Sequence, residues 1–398
     1  MNKKQWIGIG IFAALIVAII GIKLFMNNDT TNPKNLKTVY VATGGGKEDF
    51  VADEEVNRIL REKYGLNVVF DSWSNGKTIT APLIREYIGE GNPEIIDRLA
   101  NKDSSVTIDT EGVSKYDALF TSDQRFYDYY KFWPNQEKGE SKRYSVLDGG
   151  LTLNTPIVIY SWKEVADKLI KEGIVTIGKD GVYYITDMNK LINYILEGRS
   201  WQSIGLTDLY GNVNIASTDP VSSSPGATYY GLLLSILGNG QITDEEIDGN
   251  LAKLKVFYQK SGYMNNTPAD LFERYLKTGM GGEPMIVDYE KSLIDFANSN
   301  PNGFKQVKND IVVLYSKPTI WNSHCFAAFS ENGKALYKAL QDEEISKIAW
   351  EKYGFRTGIT GGNYDVSKIG LAIPKSITST VGSLKMDYYN KLVSYLGN

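Results

Sequence analysis

The chain has 398 residues, 42% hydrophobic and 23% charged, a globular composition long enough for two or three lobes. A single cysteine, Cys325, and a single histidine, His324, exclude an intramolecular disulfide, a cysteine metal cage and the usual zinc and non-haem iron ligand sets. The net charge is −4; the 40 bases and 47 acids after residue 28 leave −7, which argues against nucleic acid as a partner and against a broad electrostatic trap for anions.

The segment "WIGIGIFAALIVAIIGI", residues 6 to 22, carries no charge. As a helix it spans about 25 Å, near the lower limit for a bilayer crossing. Lys3 and Lys4 precede it, and Lys23 can snorkel so that Leu24 and Phe25 extend the span. No cysteine follows for a lipid anchor, and no small-x-small cleavage site is evident. The expectation is an uncleaved anchor over 1–28, with a cleaved signal as the alternative. Lys34 and Lys37 lie beyond it, so the positive-inside bias is weak. "NNDTTNPKN" then reads as a polar linker, bounded here as 29–36.

The body alternates strand and helix. Val39–Ala42 reads as a buried strand, Thr43–Gly46 as a tight loop, "DFVADEEVNRILREKYG" as a helix with Val56, Ile59 and Leu60 on one face, and "LNVVFDSW" as a second strand. This β-loop-α-β opening predicts a parallel sheet. "KYDALFTSDQRFYDYY" predicts a strand, a loop at Thr121-Ser122 and a helix. Ile157–Tyr160 predicts a strand followed by a helix with Ser161 as N-cap and Glu164 completing a capping box. "NVNIASTDPVSSSPGATYYGLLLSILG" and "EPMIVDYEKSLIDFAN" each predict strand, loop and helix. "DIVVLYSKPTIWNSHCFAAF" reads as two strands, "ENGKALYKALQDEEISKIAWEKYG" as two helices and Tyr388–Leu396 as a last helix. The polar stretches Gly89–Gly112 and Pro134–Gly150 carry no clear element.

Each strand ends in a loop rich in Thr, Ser, Gly or Asp: Thr43–Gly46, Ser72–Asn75, Thr121-Ser122, Thr218–Ser224 and Asp288-Tyr289. Ligands of open α/β sheets sit outside the carboxyl ends of the strands. In "SSSPGATYYGLLLSI", residues 222–236, Ser224 is the expected N-cap and Pro225 the first helical residue, and the same helix mouth presents free N–H groups that attract anions.

"ATGGGKED" is not a phosphate loop, because Glu48 stands where a Walker motif needs Ser or Thr. It reads either as a tight turn or as backbone that a ligand can approach closely. His324 and Cys325 are neighbours on a strand and point to opposite faces, and there is no G-x-S-x-G elbow. His324 is therefore expected to pack and hydrogen-bond, not to catalyse. Asp53-Glu54-Glu55 and Asp342-Glu343-Glu344 sit at helix starts, where the dipole favours acids. The many tyrosines, among them Tyr127, Tyr129, Tyr130, Tyr229 and Tyr230, read as amphipathic packing or as the wall of an aromatic cleft.

Three passages carry a family likeness: "STDPVSSSPGATYYGLLLSI", "PMIVDYEKSLIDFA" and "VVLYSKPTIWNSHCFAAFSENGKALYKALQDEEISKIAWEKYGFR". In their order the body resembles the extracytoplasmic solute-binding proteins of ABC transporters, in the two-lobed class that includes molybdate, tungstate and sulfate binders. The resemblance covers most of residues 37 to 370. It implies an α/β, two-lobed, periplasmic-binding-protein-like (type 2) fold with a central ligand cleft, here preceded by one transmembrane helix. Lobe I would be 37–150 and 318–398, and lobe II 151–317. The implied ligand contacts are Thr43, Gly45, Gly46, Ser74, Ser122, Thr155, Ser223, Ser224 and Tyr289. No catalysis, cofactor or metal is implied. The implied partners are a small solute such as an oxyanion, the membrane through the N-terminal helix, and an ABC permease or other membrane protein. The alternative is the same fold, with a degenerate cleft, serving as a sensor or scaffold in an envelope complex.

Overall fold

The computed structural model describes residues 36–72, 116–131, 146–240, 242–265, 267–357 and 369–397. The expected membrane segment, residues 6–22, and Ser74 lie outside this set. Among the described residues no helix is long and apolar enough to cross a membrane.

The first half opens with β1 (Lys37–Thr43), α1 (Glu48–Ala52), α2 (Glu54–Tyr64), β2 (Leu66–Ser72), β3 (Ala118–Phe120) and α3 (Gln124–Lys131). Val39, Val41 and Ala42 bury β1, and Val56, Ile59 and Leu60 form the inner face of α2, as their spacing predicts. Asp53 ends α1 and caps α2, accepting from the Glu55 and Val56 N–H groups at 2.9 Å. β1 pairs in parallel with both β2 and β3.

The chain then enters β4 (Asp148–Trp162), 15 residues long, followed by α4 (Lys163–Lys171), β5 (Val175–Ile177), β6 (Tyr183–Ile185), α5 (Met188–Glu197), α6 (Ser224–Leu237), α7 (Asp244–Lys260), α8 (Pro268–Gly282), β7 (Met285–Tyr289), α9 (Glu290–Ser299) and α10 (Pro301–Val307). It returns through β8 (Ile311–Ser316) and β9 (Thr319–Ala328), then α11 (Glu331–Ala339), α12 (Glu343–Tyr353), β10 (Arg356–Thr357), β11 (Thr380–Val381) and α13 (Met386–Gly397).

The β-loop-α-β opening forms the parallel pairs its pattern predicts, but the sheet as a whole is mixed. β8 and β9 run antiparallel to successive stretches of β4, Ile311–Leu314 against Ile159–Trp162 and Trp321–Ala328 against Asp148–Pro156, and β7 is antiparallel to β4 as well. These paired strands join two hydrophobic clusters. The smaller gathers β1, α1, α2, β3, Leu153 of β4, Phe326 of β9, α11 and α12. The larger holds Ile157–Trp162, the segment from Val165 to Ile320, and Leu384, Leu392 and Leu396 near the C-terminus.

Two caps differ from expectation. Ser161 lies inside β4, opposite Met285 and Val312, and its hydroxyl donates to the Pro284 carbonyl at 3.0 Å. α4 therefore begins after Trp162, and the S-x-x-E capping box does not form. α6 begins at Ser224 with Ser223 as the cap, one residue earlier than expected. The Ser223 hydroxyl makes no cap bond and donates instead to Thr218 Oγ1 at 2.9 Å. The region before it, read as a strand, makes only single bridges among the described residues: Asn212 to Ser200, Ala216 to Ile286 and Thr218 to Asn265.

The glycine in "SSPG" has a packing reason. A Cβ on Gly226 would lie 2.2 Å from the Thr218 carbonyl oxygen and 2.9 Å from the Asp219 backbone, so helix and loop touch through backbone. Gly226→Ala is expected to cost about 1–3 kcal/mol by overpacking. Gly249→Ala, where nothing lies within 4 Å, is expected to stabilise α7 by about 0.5–1 kcal/mol. Chemical denaturation midpoints of the two variants should move in opposite directions.

Candidate ligand-binding site

The loops after β1 and β3 meet. The Gly44 N–H donates to the Phe120 carbonyl at 3.0 Å, and a Cβ on Gly44 would lie 2.7 Å from Ser122 Oγ. Thr43 is buried at the end of β1, its hydroxyl turned to the carbonyls of Gly44 and Phe120 at 3.3 and 3.4 Å. Gly45 is half-buried; Gly46 is exposed, with a left-handed φ of 83° that favours glycine. Lys47, 2% exposed, ties the loops together: its Nζ donates to the Gly44 carbonyl at 2.8 Å and the Thr121 carbonyl at 3.1 Å, and lies 4.7 Å from the centre of the Phe120 ring. Burial pulls this amine down to about 7. Lys47 is thus a brace between the two loops.

Ser122 is buried and leads into Asp123 and Arg125, a buried ion pair with Arg125 Nε donating to Asp123 Oδ1 at 2.9 Å. The guanidinium lies 3.8 Å from the ring centre of Tyr389 on α13. Tyr289, at the end of β7, lies within the influence of both charges. Burial first, then Asp288 and Asp123, push its phenol well above the usual tyrosine range. The Asp123–Arg125 pair after β3 is thus within electrostatic reach of Tyr289 at the end of β7.

Thr155 sits in β4 opposite Asn322 of β9, fully buried, its hydroxyl accepting the Lys291 N–H at 3.3 Å. Ser223 lies in the loop beside β7, since the Ala216 N–H donates to the Met285 carbonyl at 2.9 Å and the Val287 N–H to the Ala216 carbonyl at 2.8 Å. Ser224 opens α6. Of the expected contacts, Thr43, Gly45, Gly46 and Ser122 thus form one group. Tyr289 sits at the adjoining ion pair, Thr155 in the crossing strand, and Ser223 and Ser224 at the mouth of α6. Two cavities, about 430 Å³ beside Asn212, Lys260 and Ser261, and about 510 Å³ beside Asp53, Glu55 and Lys352, contain none of these residues.

Three features of the site were not anticipated from sequence. Asp123 and Arg125 are two residues apart, a spacing that allows their pairing to be guessed. Asp288, 0% exposed, accepts the Tyr289 N–H on Oδ1 at 2.7 Å, while its Oδ2 has no partner among the described residues, and burial pushes its carboxyl up to about 7. Asn322 and His324, two apart on β9 and so on one face, hydrogen-bond to each other at 3.1 Å. Burial, then the charges of Lys47 and Lys291, hold the His324 imidazole well below its usual range and therefore neutral. Cys325 is the next residue on the same strand, so its side chain takes the opposite face; its backbone N–H donates to Thr121 Oγ1 at 3.2 Å, and burial raises its thiol. The two adjacent residues do not form a nucleophile–base pair. Among the described residues no group of three or more His, Cys, Asp or Glu side chains could hold a metal ion.

The arrangement of two α/β clusters joined by antiparallel crossing strands is similar in fold to solved solute-binding proteins. Among solved structures, the chain is similar to a protein assigned as an extracellular solute-binding protein from Bordetella parapertussis, with 14% identity, 90% of this chain and 96% of that one covered, and a TM-score of 0.55. It is similar to an ABC transporter structure from Clostridium perfringens, with 12% identity, 90% and 98% coverage and a TM-score of 0.52. It is similar also to iron-bound HitA from Pseudomonas aeruginosa, with 12% identity, 90% and 97% coverage and a TM-score of 0.52. No family model matches the chain, and no curated protein matches it.

Proposed function

We propose that this protein is a non-enzymatic, membrane-anchored extracytoplasmic solute-binding protein that captures a small solute between two lobes for an ABC-type permease. The observation that carries this reading is that the loop after β3 reaches the larger cluster: the Arg125 guanidinium lies 3.8 Å from the ring centre of Tyr389, which packs against that cluster. In this reading residues 37–150 and the return from 318 form lobe I and residues 151–317 form lobe II. α13 joins lobe II, because Leu392 and Leu396 pack in the larger cluster. Residues 6–22 hold the body at the membrane. Binding works by differential affinity for the closed arrangement.

A second reading has one observation behind it. The hydroxyls of Thr43, Thr155 and Ser223 and the Arg125 guanidinium all have internal partners. A cleft whose polar groups satisfy one another suits a sensor or scaffold for a membrane partner.

Thermal unfolding of the full chain in detergent, against oxyanions, amino acids and sugars, separates the two. A true ligand at 100 times its Kd is expected to add about 2.7 kcal/mol. Replacing Ser223 and Ser224 together by alanine should abolish that gain and leave the fold intact. Silence across the whole panel would favour the scaffold, and a gain unchanged in the double variant would remove these serines from the site.

A further inference from the structure

β9, where it pairs with β4, holds two buried side chains that are only half satisfied. Asn322 and His324 are each 1% exposed. One hydrogen bond joins Asn322 Nδ2 and His324 Nε2 at 3.1 Å, leaving Asn322 Oδ1 and His324 Nδ1 with no partner among the described residues. The pair sits under the first strand-end loop: His324 Cε1 lies 3.8 Å from where a Cβ of the exposed Gly46 would be.

The chemistry of what is left over does not depend on how the amide and ring are oriented. If the amide NH2 donates to Nε2, the ring carries its proton on Nδ1, and the pair is left with one N–H donor and one carbonyl acceptor. If the amide is turned over and its oxygen accepts from Nε2–H, the pair is left with a bare Nδ1 acceptor and an NH2 donor. Either way one donor and one acceptor remain, buried, and each is costly to leave unmade. An acceptor-only oxyanion such as sulfate can satisfy the donor and leaves the acceptor facing negative oxygen. The two ring nitrogens of an imidazole point away from each other, so the free Nδ1 and the free amide atom lie on different sides of the pair; neighbouring hydroxyls of one solute, each able to donate or accept, can satisfy both.

The surrounding charges point the same way. Arg125 is paired with Asp123, Lys291 with Asp295 at 2.7 Å, and Lys47 Nζ is held by two backbone carbonyls. Every cation named here already has an internal partner. We propose that Asn322 and His324 recognise neighbouring hydroxyl groups of an uncharged polyhydroxylated solute, a sugar or polyol. This rests on the solute-binding reading above and narrows its ligand class.

His324 is the only histidine in the chain, so isotope labelling of histidine gives a one-site probe. The full chain, 15N-labelled at histidine and held in a detergent without a sugar headgroup, would be titrated with a panel of pentoses, hexoses and polyols, and separately with sulfate and molybdate. A sugar or polyol is expected to raise the unfolding temperature and to move the His324 ring nitrogen signals; sulfate and molybdate should do neither. Asn322→Ala is expected to weaken that solute about tenfold, while His324→Gln, which keeps a donor and an acceptor, holds it within a few-fold. Should Asn322→Ala fail to fold, the ring signals of the unmodified chain decide alone. Oxyanion binding without sugar binding, or sugar binding that leaves the His324 signals unmoved, overturns this proposal and leaves the solute-binding reading standing. No stabilisation by either class overturns both.

Discussion

Arg356→Ala is expected to be among the most damaging single changes in the chain, at a loss of about 3–5 kcal/mol, because it strands a buried carboxylate. Arg356 and Glu290 have side chains only 4% and 1% exposed. Arg356 Nε donates to Glu290 Oε2 at 2.7 Å, and its Nη2 to Oε1 at 2.8 Å. Its remaining donors reach the carbonyls of Pro374 at 2.7 Å and Lys375 at 3.2 Å, and the Tyr315 hydroxyl donates to Glu290 Oε1 at 2.7 Å. One guanidinium thus ties β10, the head of α9 and the 374–375 segment into one knot. Two ions out of water are expensive, so the pair's own net contribution is small, but one ion without the other is far worse. The Glu290→Met, Arg356→Met double variant should therefore be more stable than Arg356→Ala alone. Urea unfolding of the three proteins checks both statements. A loss below about 1 kcal/mol for Arg356→Ala would show that Glu290 finds other partners or water.

The order of elements was legible in the sequence because burial leaves a period. A strand over Val39–Ala42, with Tyr40 exposed, the Val56-Ile59-Leu60 face of α2, and the helix starts at the Asp53 and Asp342 acidic clusters follow from local rules, and the structure bears them out. Strand direction was legible only in the opening, where the β-loop-α-β pattern gives the parallel β1–β2 pair; the antiparallel crossing of β4 with β8 and β9 was not, since a strand buried on both faces shows the same apolar run either way. Neither was the length of β4, whose first residues, "DGGLT", look like a loop and become a strand only by pairing with Cys325–Ala328 of β9. The capping box at Ser161 failed for the same reason: S-x-x-E is a local signal, and the ladder with β7 and β8 overrides it. At the site, loop chemistry pointed to Thr43, Gly45, Gly46 and Ser122, which do gather together. It could not show that Lys47 would reach a carbonyl 74 residues away and brace two loops. Nor could it show that the hydroxyls of Thr43, Thr155 and Ser223 would find partners inside the protein.

Asp288→Asn is expected to stabilise the protein at pH 8 and to leave it unchanged at pH 4. The Asp288 carboxyl is buried at the end of β7, and burial raises it from 3.8 to about 7. The sign follows from the raised value. Below about pH 4 the group carries its proton whether the chain is folded or unfolded, and no penalty exists. As pH rises from about 4 to 7, the unfolded chain releases the proton while the folded chain holds it, so stability falls through that window. Above about 7 the penalty is complete, at most roughly 4 kcal/mol, since each unit is worth about 1.4 kcal/mol. The Tyr289 N–H, the Ser292 side chain and Lys291 lower the carboxyl and Asp295 raises it, and none of them cancels the effect of burial. Asparagine can accept the same Tyr289 N–H and never ionises. Unfolding free energies of the two proteins should therefore diverge between pH 4 and 7 and run parallel above. A constant difference at every pH would mean that the carboxyl titrates normally. If the gain appears, the cost of keeping an acid there is explained by what Asp288 adjoins: Tyr289 follows it, and the Asp123–Arg125 pair lies within electrostatic reach of that phenol. A folded protein tolerates such a local penalty where binding needs it, so the variant that gains stability at pH 8 should also respond more weakly to the solute.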